Sequence, residues 1–144
     1  MSGEPTSTEP YRKPRPVIGE LNGPFWEALA EHRLEVQCCD DCGALRFPIG
    51  PVCPECLSDR SGWRELSGRG TVLSWVVFRR AYDPAFEEDV PYNVALVELE
   101  EDVRMFSNIV GVPLEEIEVD MEVEVVFDHV APDLTLPRFR PRAA

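Results

Sequence analysis

Two Cys-x-x-Cys pairs, then five segments rich in β-branched and aromatic residues with one short helical interruption, predict a mainly β fold. The expected architecture is an N-terminal helix and a rubredoxin-like zinc ribbon, followed by a five-stranded OB-fold barrel. Three stretches follow from it: a flexible tail over 1–16, the helix and ribbon over 17–60, and the barrel domain over 61–144.

The tail is assigned on composition. Met1 to Pro16 is Pro, Ser, Thr and Glu with almost no aliphatic residues, so it cannot bury enough apolar surface to offset the entropy of ordering. A helix comes next. Pro24 suits a first helical position, and Phe25, Trp26 and Leu29 share one face of the segment from Pro24 to Arg33. A helix ahead of a tiny ribbon has little core to cover, so that face either packs on the barrel or docks on another protein. His32 is expected on the surface near the helix end.

All five cysteines fall between Cys38 and Cys56. Zinc takes four soft ligands in a tetrahedron, and two residues between paired cysteines let a tight turn aim both sulfurs at one ion. Cys39, Cys42, Cys53 and Cys56 have that spacing, Gly43 frees the backbone after the first pair, and Pro54 stiffens the second. Disulfides belong to oxidising compartments, and a redox site needs one pair rather than two matched ones. One structural zinc ion is therefore expected. With four thiolates around it the ion has no open position for water, so it holds the fold and does no chemistry. Using Cys38 would put three residues inside the first pair, so Cys38 is read as a spare thiol.

From Ser58 to Gly70 the chain is turn-rich, with a module boundary near Ser61. Strands are then expected over Thr71–Arg80, Tyr92–Glu100 and Val103–Val110, the last two joined as a hairpin across Glu101-Asp102. Met121, Val123, Val125 and Phe127 alternate with more polar neighbours, the period of a half-buried strand, and a last strand covers Leu134 to Phe139. One or two helical turns over Pro113–Ile117 fall between the third and fourth strands, the order of an OB-fold; an SH3-like barrel is the nearest rival.

Fourteen basic against 27 acidic residues give a net charge of -13, which opposes binding to a polyanion. Nucleic acid is not an expected partner. Arg79-Arg80 and the late Arg138, Arg140 and Arg142 read as solvated surface, with a small phosphorylated ligand as the alternative. The sequence has no signal-peptide pattern and no segment long enough to span a membrane, so a soluble, cytoplasmic protein is expected. No catalytic set is legible. His129 is taken as a residue of a barrel-end loop, with Asp128 on the opposite face, and Tyr82 as part of a packed loop.

The order of motifs resembles the zinc-ribbon plus OB-fold proteins that accompany acyl-CoA enzymes in bacteria and archaea. The likeness spans about Pro16 to Pro141. It rests on Phe25-Trp26-Glu27-Ala28-Leu29, on the two cysteine pairs with Leu45-Arg46-Phe47-Pro48, and on Ser67-Gly68-x-Gly70-Thr71-Val72. Asp83-Pro84-Ala85-Phe86 and Thr135-Leu136-Pro137-x-Phe139-Arg140-Pro141 complete it. Three departures leave the cysteine pairs intact: Cys38 stands where arginine is frequent, Ile49-Gly50 replaces Pro-Arg, and Asp120 sits where glycine is common. The resemblance implies a non-catalytic subunit of a thiolase-like or hydratase-like enzyme, with the acyl-CoA at a shared site. It further implies a retro-aldol lyase acting on a β-hydroxyacyl-CoA, as in steroid side-chain removal, and a two-plus-two heterotetramer.

Overall fold

In a computed structural model of the chain, residues 11–143 are described. The tail expected over 1–16 lies mostly outside them. Its described end rests on the protein surface: Lys13 pairs with Asp89 at 2.8 Å, and Arg15 with Asp133 at 3.0 Å.

Helix α1 runs Gly23–Ala30. Asn22 shapes the turn ahead of it, accepting from Gly19 N–H at 2.8 Å and donating to the Val17 carbonyl at 2.9 Å. At its far end Arg33 N–H bonds the Ala28 carbonyl and His32 N–H the Leu29 carbonyl, which caps two carbonyls that the helix leaves open. That cap places His32 at φ 62°, a conformation glycine normally supplies. Phe25, Ala28 and Leu29 are buried.

Three strands make the ribbon sheet, in the order β2-β1-β3: β1 Glu35–Cys39, β2 Leu45–Arg46 and β3 Ser61–Glu65. The third corrects the sequence reading. The stretch expected to be turn-rich contains a strand that pairs with β1 from Glu35↔Glu65 to Cys39↔Ser61, so it continues the ribbon. Its sequence, SGWRE, has no run of β-branched residues, and the pairing comes from the partner strand.

The barrel has β4 Arg69–Phe78, β5 Tyr92–Leu99, β6 Arg104–Ser107, β7 Glu122–Ala131 and β8 Leu134–Pro141, hydrogen-bonded in the order β6-β5-β4-β7-β8. A parallel bridge between Ile109 and Phe139 returns the last strand towards the third. Together with the 3-10 turn Leu114–Glu116 between β6 and β7, this is OB-fold connectivity and not the SH3-like alternative. The hairpin turns across Glu101-Asp102 as expected. Asp120 takes φ 67°, which accounts for glycine being the common residue there. Gly70 is required by close approach, since a Cβ on it would lie 2.4 Å from the Glu98 carbonyl oxygen.

One core joins all three parts. Phe25 and Leu29 of the helix, Leu34 and Val36 of the ribbon, and Val72, Val97, Val123 and Phe139 of the barrel belong to a single buried cluster. The helix face that the sequence left open between two uses is thus covered by the protein's own barrel. Among the described residues, no helix is long and apolar enough to cross a membrane.

Candidate metal centre and a histidine pair

Two turns of similar geometry present the four cysteines. After β1, Gly43 N–H bonds the Cys39 carbonyl at 3.0 Å with Gly43 at φ 77°. After Cys53, Leu57 N–H bonds the Cys53 carbonyl at 2.8 Å with Leu57 at φ 66°. The second turn carries a leucine where the first has glycine, so only one of the two was legible as a backbone signal.

The turns bring the sulfurs of Cys39, Cys42, Cys53 and Cys56 within 4.8 Å of one another. Cys39 and Cys56 Sγ are 3.5 Å apart, and Cys42 and Cys53 Sγ 3.7 Å. A tetrahedral zinc-thiolate site, with bonds of about 2.3 Å, has sulfur–sulfur edges of about 3.8 Å, so the donor set fits. Cys42 N–H donates to Cys39 Sγ at 3.5 Å. Backbone N–H groups, that of Cys42 foremost, hold the Cys39 thiol down at about 6, and those of the second turn lower Cys53. Neighbouring sulfurs raise Cys42 and push Cys56 up to about 12, so without a cation only two of the four favour the thiolate a metal needs. Cys38 stands outside the cluster, its Sγ facing the Gly43 carbonyl at 3.7 Å. Among the described residues no other group of three or more His, Cys, Asp or Glu converges in this way.

Buried polar groups fix the approach to the second turn. Gln37 in β1 accepts from Gly50 N–H at 2.8 Å, and Arg46 in β2 donates to the Gly50 carbonyl at 3.1 Å. Both side chains are buried, and both hold the loop that leads to Cys53.

The two histidines depart from expectation. His129 is not in a loop: β7 extends through it to Ala131, and it is 4% exposed. Its Nδ1 bonds Thr135 Oγ1 at 2.7 Å, and its Nε2 meets His32 Nε2 at 2.7 Å. His32 is half-buried, with its ring stacked on Phe127 at 5.0 Å. The left-handed cap aims it inward, and no local pattern in the sequence marks that. Asp128 does face away, pairing with Arg138 at 2.6 Å. Tyr82 is exposed, with Arg80 over its ring.

One shared hydrogen bond between two imidazoles requires one nitrogen to donate and the other to accept. Burial, and then the charge of His129, push the His32 pKa below 6.5. A base depressed in the folded state binds fewer protons there than in the unfolded chain, so stability is lost as pH falls from about 6.5 through the folded value. Thermal melts should therefore drop as pH falls below about 6.5, and His32→Gln should flatten that slope. An unchanged slope in the variant would assign the acid loss to other groups.

A four-cysteine ribbon fused through one core to an OB barrel defines a class of ribbon–barrel protein. Sequence profiles agree: "ChsH2, rubredoxin-like zinc ribbon domain" matches residues 26–61, and "ChsH2, C-terminal OB-fold domain" matches 63–128. A solved chain titled "Ltp2-ChsH2(DUF35) aldolase" is 43% identical, with a TM-score of 0.80 over 88% of this chain and 98% of that one. The chain belongs to the DUF35 family of ChsH2-type proteins.

Two curated relatives are longer. A probable enoyl-CoA hydratase alpha subunit of Thermomonospora curvata is 43% identical over 129 residues, 90% of this chain and 40% of that protein. A 3-oxo-4,17-pregnadiene-20-carboxyl-CoA hydratase alpha subunit of Mycobacterium tuberculosis is 33% identical over 140 residues, 97% and 44% respectively. The chain spans less than half the length of either.

Proposed function

We propose that this chain is a non-catalytic, zinc-stabilised partner subunit of a thiolase-like acyl-CoA enzyme. The reaction we favour is an aldolase step, retro-aldol cleavage of a β-hydroxyacyl-CoA such as a steroid side chain. The observation that carries this reading is the 43% identity to the chain titled as part of an aldolase, matched over nearly all of that chain's length. Cys39, Cys42, Cys53 and Cys56 would hold one structural zinc ion, closed to substrate by its four thiolates. The acyl-CoA would lie at a site shared with the enzyme, which supplies the catalytic groups. We place the complex in the cytoplasm, as a two-plus-two heterotetramer.

A second reading, service to an acyl-CoA hydratase, is favoured by the names of the two longer relatives. In them the matched region is under half of the protein, so the rest is available for the hydratase function. Nucleic-acid binding is disfavoured by the charge of -13.

The test is a tagged pull-down from the native host, with mass spectrometry of what co-purifies and zinc quantified per chain. A stoichiometric thiolase-like protein that cleaves a β-hydroxyacyl-CoA only in the presence of this chain is the expected result. A hydratase-type protein would select the second reading. A chain that came down alone and monomeric would end both.

A further inference from the structure

An apolar strip runs along the outside of the barrel. On β4, β5 and β6 the residues facing inward are buried: Val72, Ala95, Val97 and Met105. The residues facing outward should then be polar, as on any half-buried antiparallel sheet. Ser74, Glu98 and Arg104 are, but Phe106 is 74% and Val76 57% exposed, and the half-buried Val94 and Leu96 fill the space between them. Register makes the strip continuous, because Val76 is opposite Val94 and Leu96 is opposite Phe106. It ends on a stacked pair, Phe78 and Tyr92, with ring centroids 5.2 Å apart. Scattered apolar residues on a surface need no explanation; a contiguous strip across three strands marks a contact surface.

The charges on this face differ from those of the chain as a whole. A net charge of -13 makes most of the surface repel an acidic partner. β4, β5 and β6 contain a single carboxylate, Glu98, and Arg104 neutralises it at 3.0 Å. Arg79 and Arg80 follow directly on β4, both exposed, and neither joins the ion pairs found among the described residues. The face therefore has an apolar centre, and at its Phe78–Tyr92 end lie Arg79 and Arg80 together with the loop of Phe86, which stacks on Tyr92 and carries Glu87 and Glu88. Apolar cores with charged rims are the anatomy of specific interfaces, and arginine is enriched at their energetic centres.

We propose that the outward face of β4–β6 is where the acyl-CoA enzyme docks. Phe106 and Val76 bury against apolar residues of that enzyme, and Arg79 and Arg80 meet its carboxylates. This rests on the subunit reading above. A second copy of this chain fits less well, since its acidic surface offers the arginines partners but brings many like charges together.

The test measures affinity for the acyl-CoA enzyme captured in the pull-down, using the full chain with Phe106→Asp, Val76→Asp, the double variant Arg79→Glu/Arg80→Glu, and Val17→Asp as control. Val17 is 90% exposed on the segment before α1. Melting temperature and zinc content are followed in each variant; the arginine pair is exposed and outside the buried core, so it tests the face even if a strand variant folds poorly. The expected result is a roughly tenfold or greater loss of affinity in the strand and arginine variants and none in the control. Raised salt should weaken the wild type more than the double arginine variant. Wild-type affinity in all variants would overturn the docking face and leave the subunit reading intact. Self-association of the chain that Phe106→Asp abolishes would overturn it in favour of a second copy. If no acyl-CoA enzyme co-purifies with the wild type, the subunit reading fails and the docking face fails with it.

Discussion

Chelating the metal, or changing Cys53 to Ser, is expected to unfold the ribbon and lower the stability of the whole chain. Structural zinc in small modules contributes about 10–16 kcal/mol of apparent binding energy, comparable to or larger than the 5–15 kcal/mol that holds a typical domain. The ribbon has little else to hold it: β2 is two residues long, and the loop from Phe47 to Arg60 has no regular structure of its own. Leu34 and Val36 tie the ribbon to the common core, so disorder there exposes part of the barrel's packing as well. Zinc per chain by elemental analysis and a thermal melt by circular dichroism check this. Cys38→Ser should keep one zinc and the wild-type melt. A Cys38→Ser variant that lost zinc, or a Cys53→Ser variant that kept it, would mean the four sulfurs that converge are not the ligand set. Because thiolates bind metal and thiols do not, zinc should also be released as pH falls.

Phe25→Ala is the second change with a large expected effect. Phe25 is 3% exposed and lies edge-on to Trp26 at 5.1 Å and tilted against Phe47 at 5.4 Å. It thus joins the helix to the loop beyond β2 while belonging to the core shared with the barrel. Truncating a buried phenylalanine costs about 3–5 kcal/mol, the lost transfer energy plus the cavity left behind. The informative part is cooperativity. Denaturant unfolding followed by tryptophan fluorescence, with Trp63 in the ribbon and Trp75 in the barrel, should give one transition coincident with zinc release, at lower denaturant than wild type. Zinc release well ahead of the barrel signal in the wild type would mean that the shared core does not couple the two parts. Val17→Ser, at an exposed position, should change stability by less than about 0.5 kcal/mol.

Most of the candidate metal centre was legible in advance, because its information is local. Two Cys-x-x-Cys pairs fix which sulfurs can converge, and only the order of Cys38 and Cys39 left a choice. Cys38 pairs with Leu45 across the sheet while Cys39 ends the strand at the turn, so alternation along β1 aims them apart. The five barrel strands and the helical turn between the third and fourth were also legible, from β-branched and aromatic residues in the first strand and from alternation over Met121 to Phe127 in the fourth. The third ribbon strand was not. Ser61 to Glu65 has weak strand propensity and forms by pairing with β1. The histidines were read as unrelated, one on the surface near the helix end and one in a barrel-end loop, for the same reason: their contact spans 97 positions, and no local window contains both.

The sequence by itself determined the composition of the parts: a ribbon able to bind one metal, a five-stranded barrel, a helix with an apolar face, and a charge that disfavours polyanions. Tertiary structure alone decided how those faces are used. The helix face turned inward, because β7 and β8 of the barrel and β1 of the ribbon lie against it. The outer face of β4–β6 kept Phe106 and Val76 uncovered, because a single barrel layer has an inside and an outside and only the inside is filled by the chain itself. Periodicity reports that a side chain is apolar and which neighbours share its face. Which surface meets that face depends on contacts between residues far apart in the chain, and those exist only once the barrel has closed.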